Sequence, residues 1–420
     1  MREEILVAVV MFLILIGGSI ATKNDKKWSV LFLFLASVAG SLAAGMGIRF
    51  REIVEGPFGF LDSMLCVCAA SVFVAALAQS GVFELLFSKI CGIKNSVLKA
   101  FAMLLFIALP SALTGFAGSS IMTTGKIFSE AVQDKRKASV IVGVGAFIGV
   151  LLPPNCIPAM IAANGAGSVL PTPYTGFFLP LLVLALPAFI AFALIQRKGL
   201  SEPAAKDFEK NTSTLISLVV LCLVCLATFM DGVFASVLYL GGNTLVFFVG
   251  TIVVLVACKG RKTMAVLSDG IMKAVGPMAL VFALGSFIEV SSMTGIRGIY
   301  SYWILPHNTT AVMLVLMAAS LVIGYFLSVP IPAFLITYAV FPIGWLANTV
   351  IVTGCSTAIA LVALLTMNGG VFKSVTDGLG DEFKLGRKES LKAVWPVALL
   401  VLAMGIIMVV FGDSLSFLIR

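Results

Sequence analysis

The sequence predicts an all-α polytopic membrane protein, with about ten transmembrane helices and two re-entrant hairpins in two inverted repeats. Three observations lead there. Sixty per cent of the 420 residues are apolar and 11% are charged, and mean hydropathy is +1.12, whereas a water-facing surface needs about 25% charged residues. The apolar residues fall in blocks of roughly 20, the length that crosses a hydrocarbon core. Landmarks of the first half also recur in the second.

Ten spans are expected, at 5–21, 28–47, 61–88, 137–163, 174–196, 213–232, 235–258, 271–294, 349–372 and 391–411. The first is flanked by Arg2 and shows no small-residue cleavage pattern before Lys23, so it reads as a retained span. Two more apolar stretches, 97–129 and 309–347, are interrupted. The first holds Pro110 and Thr114-Gly115-Phe116-Ala117-Gly118-Ser119-Ser120, the second Ser328-Val329-Pro330-Ile331-Pro332. Lipid cannot satisfy the backbone groups such breaks release, so they must face protein or a wet cavity. Re-entrant hairpins are the expectation; ordinary spans with Gly/Pro kinks are the alternative.

Charge sets the orientation. With the amino terminus outside, cytoplasmic segments hold 23 of the Lys and Arg residues and outside segments hold five: Arg2, Arg49, Arg51, Arg297 and Arg420. That asymmetry is the positive-inside pattern. The net charge of +8 therefore belongs beside lipid headgroups and implies no nucleic-acid partner. Both termini are expected on the extracytoplasmic side of a bacterial inner membrane. The eight cysteines are scattered, and Cys222 and Cys225 sit inside an apolar span as packing residues. His307 is the sole histidine and lies in an outside loop. A histidine-based triad or metal site is thus not expected, nor is a cofactor, and a membrane-embedded enzyme, the remote alternative, lacks its nucleophile–base pair.

Three landmarks define the repeat. Ser71–Phe83 (SVFVAALAQSGVF) resembles Leu280–Ile296 (LVFALGSFIEVSSMTGI), with Gly81 opposite Gly295. Asn155 lies opposite Asn368, and Pro180 opposite Pro396. The first repeat is expected over residues 1–200, a cytoplasmic linker over 201–212, and the second repeat over 213–420. Five crossings plus a hairpin in each copy invert the second relative to the first. Paired discontinuous elements in inverted repeats are the architecture of alternating-access transporters, with substrate and coupling ion near the midplane.

The candidate site follows from the breaks. It comprises Thr114, Gly118, Ser119, Ser120 and Thr123 at the first tip, Pro154 and Asn155 at the first broken span, Ser328 and Pro330 at the second tip, and Thr366, Asn368, Gly369 and Gly370 at the second break. A Pro or Gly pair stops the helical ladder, leaving N–H groups that attract an anion. The freed carbonyls, with Ser, Thr and Asn oxygens, can coordinate Na⁺. Packing against neighbouring helices is the competing role for each Ser and Thr. Glu289, inside a span, is a candidate proton carrier or a helix-packing group near the membrane edge.

At these residues the chain resembles the ion-transporter superfamily of organic-acid permeases. ALTGFAGSSIMTTG (112–125), GVLLPPNCIPAMIAA (149–163) and GFFLPLLVLALP (176–187) are similar to the large membrane subunit of TRAP transporters. LAAGMGIRFREIVEGPFGF (42–60), LLPPNCIPAM (151–160) and MNGGVFKSVTDGLG (367–380) resemble gluconate permeases. The resemblance implies cation-coupled symport, with Na⁺ or H⁺ as coupling ion, of a small organic anion such as a C4-dicarboxylate or sugar acid. On the TRAP side it implies a small membrane subunit and a periplasmic binding protein; on the gluconate side a stand-alone proton symporter. A homodimer is a further expectation.

Overall fold

A computed structural model describes residues 2–22, 26–164, 175–203, 211–234, 242–260, 263–296, 298–299, 302, 306–326, 348–365 and 371–419. The chain is an α-helical polytopic membrane protein. Among the described residues six helices are long and apolar enough to cross a bilayer, and shorter apolar helices such as Trp28–Ala43 and Gly242–Ala257 accompany them.

The first half runs α1 (Arg2–Ala21), α2 (Lys26–Ala43), α3 (Phe50–Glu55), a 3₁₀ turn, then α4 (Leu61–Ser80) and α5 (Val82–Cys91). The expected span 61–88 is therefore too long. Gly81 adopts φ +77° and ends α4 at Ser80, a left-handed turn that glycine makes without a Cβ penalty. The mostly apolar residues after it, Val82, Phe83, Leu85, Leu86 and Phe87, mask this stop in the sequence. On α5, outside the spanning segments, burial pushes the Glu84 carboxyl up from its ordinary value. Its Oε2 has no hydrogen-bond partner among the described residues. A raised carboxyl contributes stability below the unfolded value and loses it as pH rises through the folded one. Glu84→Gln is thus expected to raise the apparent Tm near about pH 8 and to lose that advantage below about pH 5, as a thermal-shift series across pH would show.

The hairpin follows. Asn95 caps α6 (Ser96–Thr114) by accepting from the Val97 and Leu98 N–H groups. A turn at Gly115-Phe116 leads to a second arm: α7 (Ala117–Ser120), a π-helical turn (Ile121–Gly125) and α8 (Lys126–Ala131). Pro110 deprives α6 of one donor. One turn around it, the second arm supplies partners. Ser120 Oγ accepts from the Ser111 N–H at 2.9 Å, and Thr124 Oγ1 donates to the Ile107 carbonyl at 3.2 Å. Those backbone groups, four residues apart, would bond each other in an unbroken helix. The arms are consequently zipped antiparallel.

Asp134 caps α9 (Lys135–Leu151), which breaks at 152–156 and resumes as α10 (Ile157–Asn164). Small residues let α9 lie against the hairpin. A Cβ on Gly149 would overlap the Ala108 carbonyl oxygen, and one on Gly145 would meet Ile107 at 2.9 Å. Then come α11 (Thr175–Ile195), the short α12 (Arg197–Leu200), α13 (Thr212–Phe234), α14 (Gly242–Ala257), α15 (Thr263–Met293), α16 (Thr309–Phe326), α17 (Asn348–Leu365), α18 (Val371–Leu379) and α19 (Arg387–Val410). The expected span 271–294 starts earlier, at Thr263. An Asp269–Lys273 ion pair at 2.6 Å, one helical turn apart, supports that polar first section.

Helix bounds recur along the chain. Phe50–Ser80 and Thr263–Met293 are both 31 residues long, and they start 213 residues apart (263 − 50). Gly81 and Gly295, just beyond their ends, share φ +77°. The two long helices pack on each other through paired close approaches. A Cβ on Gly270 would lie 2.5 Å from Val72 Cα, and one on Gly285 would lie 2.7 Å from Pro57 Cα.

Candidate functional site

The break after α9 is made by Pro153-Pro154, joined by a cis peptide, followed by Asn155 and Cys156. Neither proline carries an N–H, so the ladder cannot continue. Asn155 is fully buried, and its N–H and carboxamide find partners. Its N–H donates to the Ala112 carbonyl at 3.2 Å and its Nδ2 to the Leu113 carbonyl at 2.5 Å. Its Oδ1 accepts from the Cys66 thiol at 3.4 Å and from Asn243 Nδ2 at 3.3 Å. Ala112 and Leu113 belong to the last turn of α6, whose carbonyls lack helical partners. One asparagine therefore caps the hairpin helix and ties it to α4 and α14.

The tip and the break touch directly. Gly115 has φ +79°, and a Cβ there would lie 2.6 Å from the Asn155 carbonyl oxygen. The expected hydroxyls mostly direct their protons to nearby backbone. Thr114 Oγ1 donates to Pro110 O at 2.7 Å and Thr123 Oγ1 to Ser119 O at 2.6 Å. Ser119 and Ser120 are buried beside them. Phe116, Ala117 and Gly118 are half-buried. The Ala117 and Gly118 N–H groups head the second arm, where a helix supplies no partner of its own and favours an anion. At α10 that capacity is smaller, because Pro158 has no N–H and the Ala159 N–H faces the Cys156 sulfur.

Thr114, Gly118, Ser119, Ser120, Thr123, Pro154 and Asn155 thus share one region. Ser328, Pro330, Thr366, Asn368, Gly369 and Gly370 lie outside the described residues. The helix that follows the expected second break is described, and it reaches the first-half site. Phe372 of α18 sits 2.7 Å from where a Gly143 Cβ would be, and Met122 lies 2.8 Å from a Gly378 Cβ. Glu289 is exposed, four residues from the end of α15, with its Cβ against Gly56. It joins none of the hydrogen bonds around Asn155. Lys126 is exposed on the hairpin arm.

Sequence reasoning missed three residues here. Cys66 and Asn243 are 89 and 88 residues from Asn155 in the chain, and no local pattern marks them. Ser111 had a signal, its place beside Pro110, and its buried Oγ has no partner among the described residues.

No protein-family model matches the chain, and no curated protein matches its sequence. Solved structures do match. The Alcanivorax borkumensis YdaH transporter, described as having an unusual topology, superposes with TM-score 0.59 over 88% of this chain and 89% of that one, at 15% identity. The two share a fold. Chemically, the hairpin and break of this chain offer tip N–H groups that have no partner among the described residues, with hydroxyl and carbonyl oxygens a few residues away.

Proposed function

We propose that the chain is a secondary active transporter that carries a small organic anion in symport with Na⁺ or H⁺. The observation that carries this reading is the direct junction of a hairpin tip with a helix break through Asn155 and Gly115, in a fold shared with a transporter. The open N–H groups at Ala117 and Gly118 suit a carboxylate, and the neighbouring oxygens suit a cation.

The two halves, 1–200 and 213–420, are taken as inverted repeats joined by the 201–212 linker. A two-fold axis demands that contacts interchange, and the described contacts favour this. With an offset of 213 (263 − 50), Gly270 corresponds to Pro57 and Val72 to Gly285. The Gly270–Val72 approach is then the counterpart of Pro57–Gly285. Likewise α2 packs on α15 while α14 packs on α4, and α18 packs on α9 while α10 packs on α17. On this symmetry Asn368 is the counterpart of Asn155, and the tip around Ser328 and Pro330 faces the tip around Ser119.

As a TRAP-type large permease, the chain would act with a small membrane subunit and a binding protein. A stand-alone permease of the gluconate type is the alternative reading. The purified chain alone, reconstituted in liposomes, separates these readings with radiolabelled succinate and gluconate. Uptake should saturate and exceed equilibrium only under an imposed Na⁺ or pH gradient. One coupled charge moving down 100 mV supplies about 2.3 kcal/mol, roughly a fifty-fold accumulation. Uptake that requires added partners supports the TRAP reading, and a linear leak indifferent to both gradients contradicts transport.

A further inference from the structure

We propose that the Asn155 carboxamide is a releasable latch between the hairpin–break unit and helices α4 and α14, with Asn243 and Cys66 as its positioning residues. The proposal deepens the transport reading above and rests on it. The four bonds of Asn155 are unequal. Toward the hairpin it makes two N–H donations, at 3.2 and 2.5 Å. Breaking these strands the Ala112 and Leu113 carbonyls at the end of α6, and an unpaired buried carbonyl is costly. Toward the other helices it accepts from a thiol at 3.4 Å and from a carboxamide at 3.3 Å. The carboxamide bond is longer than the usual N–H···O range, and a thiol is a weak donor.

Asn243 carries a further sign of two states. Its Oδ1 is buried and has no hydrogen-bond partner among the described residues. Among the described residues Asn243 is therefore only half satisfied while the latch is closed, which lowers the barrier to letting go. When the hairpin and broken helix shift, Asn155 stays with Ala112 and Leu113 and releases Cys66 and Asn243. Cys66, buried at 3% exposure in this arrangement, becomes reachable as the latch opens.

The native thiol reports the event. Membranes containing the full chain are treated with N-ethylmaleimide, and modification is quantified per cysteine by mass spectrometry. Cys222, exposed on α13, serves as the internal reference. Asn243→Leu keeps the approximate size and removes the donor. It should speed Cys66 labelling about tenfold, the effect of one lost hydrogen bond, with Cys222 unchanged. If Leu alters Cys222 too, Asn243→Ala is used in the same assay. A Cys66 rate equal to wild type in the variant overturns the latch. In liposomes, Cys66→Ser places a stronger donor at the same point and should lower Vmax about threefold or more with little change in KM. A packing role predicts no such split. Absence of any wild-type uptake would remove the transport reading while leaving the labelling result to decide the latch.

Discussion

Asn155→Ala is expected to lower uptake at least about a hundredfold, a loss of about 2.7 kcal/mol or more, and to destabilise the folded protein. The substitution removes the donor to Leu113 O and the acceptor of Cys66 and Asn243. Each buried group left unpaired costs about 1–3 kcal/mol, so a fall in apparent Tm on the order of 5–10 °C is expected in a thermal-shift assay. Asn155→Asp sharpens the test. It keeps the shape but loses the Nδ2 donor and adds a buried charge. Lowering the pH protonates the carboxyl, which can then donate to Leu113 O again. Partial recovery of uptake at low pH would identify that hydrogen bond as the essential one, and equal activity of Asp and Asn at neutral pH would contradict its role.

Gly115→Ala is the second large effect. At φ +79° a side chain costs about 1–2 kcal/mol in the left-handed region. The added Cβ also meets the Asn155 carbonyl oxygen at 2.6 Å and Ile157 Cγ1 at 2.7 Å. The oxygen is backbone and cannot swing aside, so the tip must lift off the break. Uptake should fall by at least about tenfold, with a measurable loss of Tm. Gly118→Ala is the informative control. A Cβ there finds only the Phe116 ring, at 3.6 Å, so stability should hold. If the carboxylate of the substrate uses the tip N–H groups, the Gly118 variant should raise KM while Tm stays put. Unchanged kinetics for both glycine variants would move the anion site elsewhere.

The breaks were legible because local chemistry makes them. Pro110, Gly115 and Pro153-Pro154 disrupt a helical ladder wherever they fall, so the hairpin and the broken span could be placed before any contact was known. Span ends were less legible. The stop at Gly81 is hidden by the mostly apolar residues that follow it, and the polar start of α15 is stabilised by a salt bridge that no hydropathy window registers. Partners were the least legible. Asn243 reaches Asn155 only through the packing of α14 on α4, a relation that no spacing along the chain encodes. Glu289, a titratable group in an apolar run, reads from the sequence as either a proton carrier or a helix-packing group near the membrane edge; its side chain is exposed, with its Cβ against Gly56. Which helix face meets a neighbour is likewise not encoded by spacing along the chain.

The central physical claim is that a helix break from each half converges on one polar centre that takes both anion and coupling ion. A cryo-EM map of the protein in lipid nanodiscs, with succinate and Na⁺ present, addresses it most directly. The expected map shows the helix interrupted at 366–370, Asn368 facing the Asn155 region, and ligand density against Ala117 and Gly118. A continuous helix through Asn368, or that side chain turned to lipid, would contradict it.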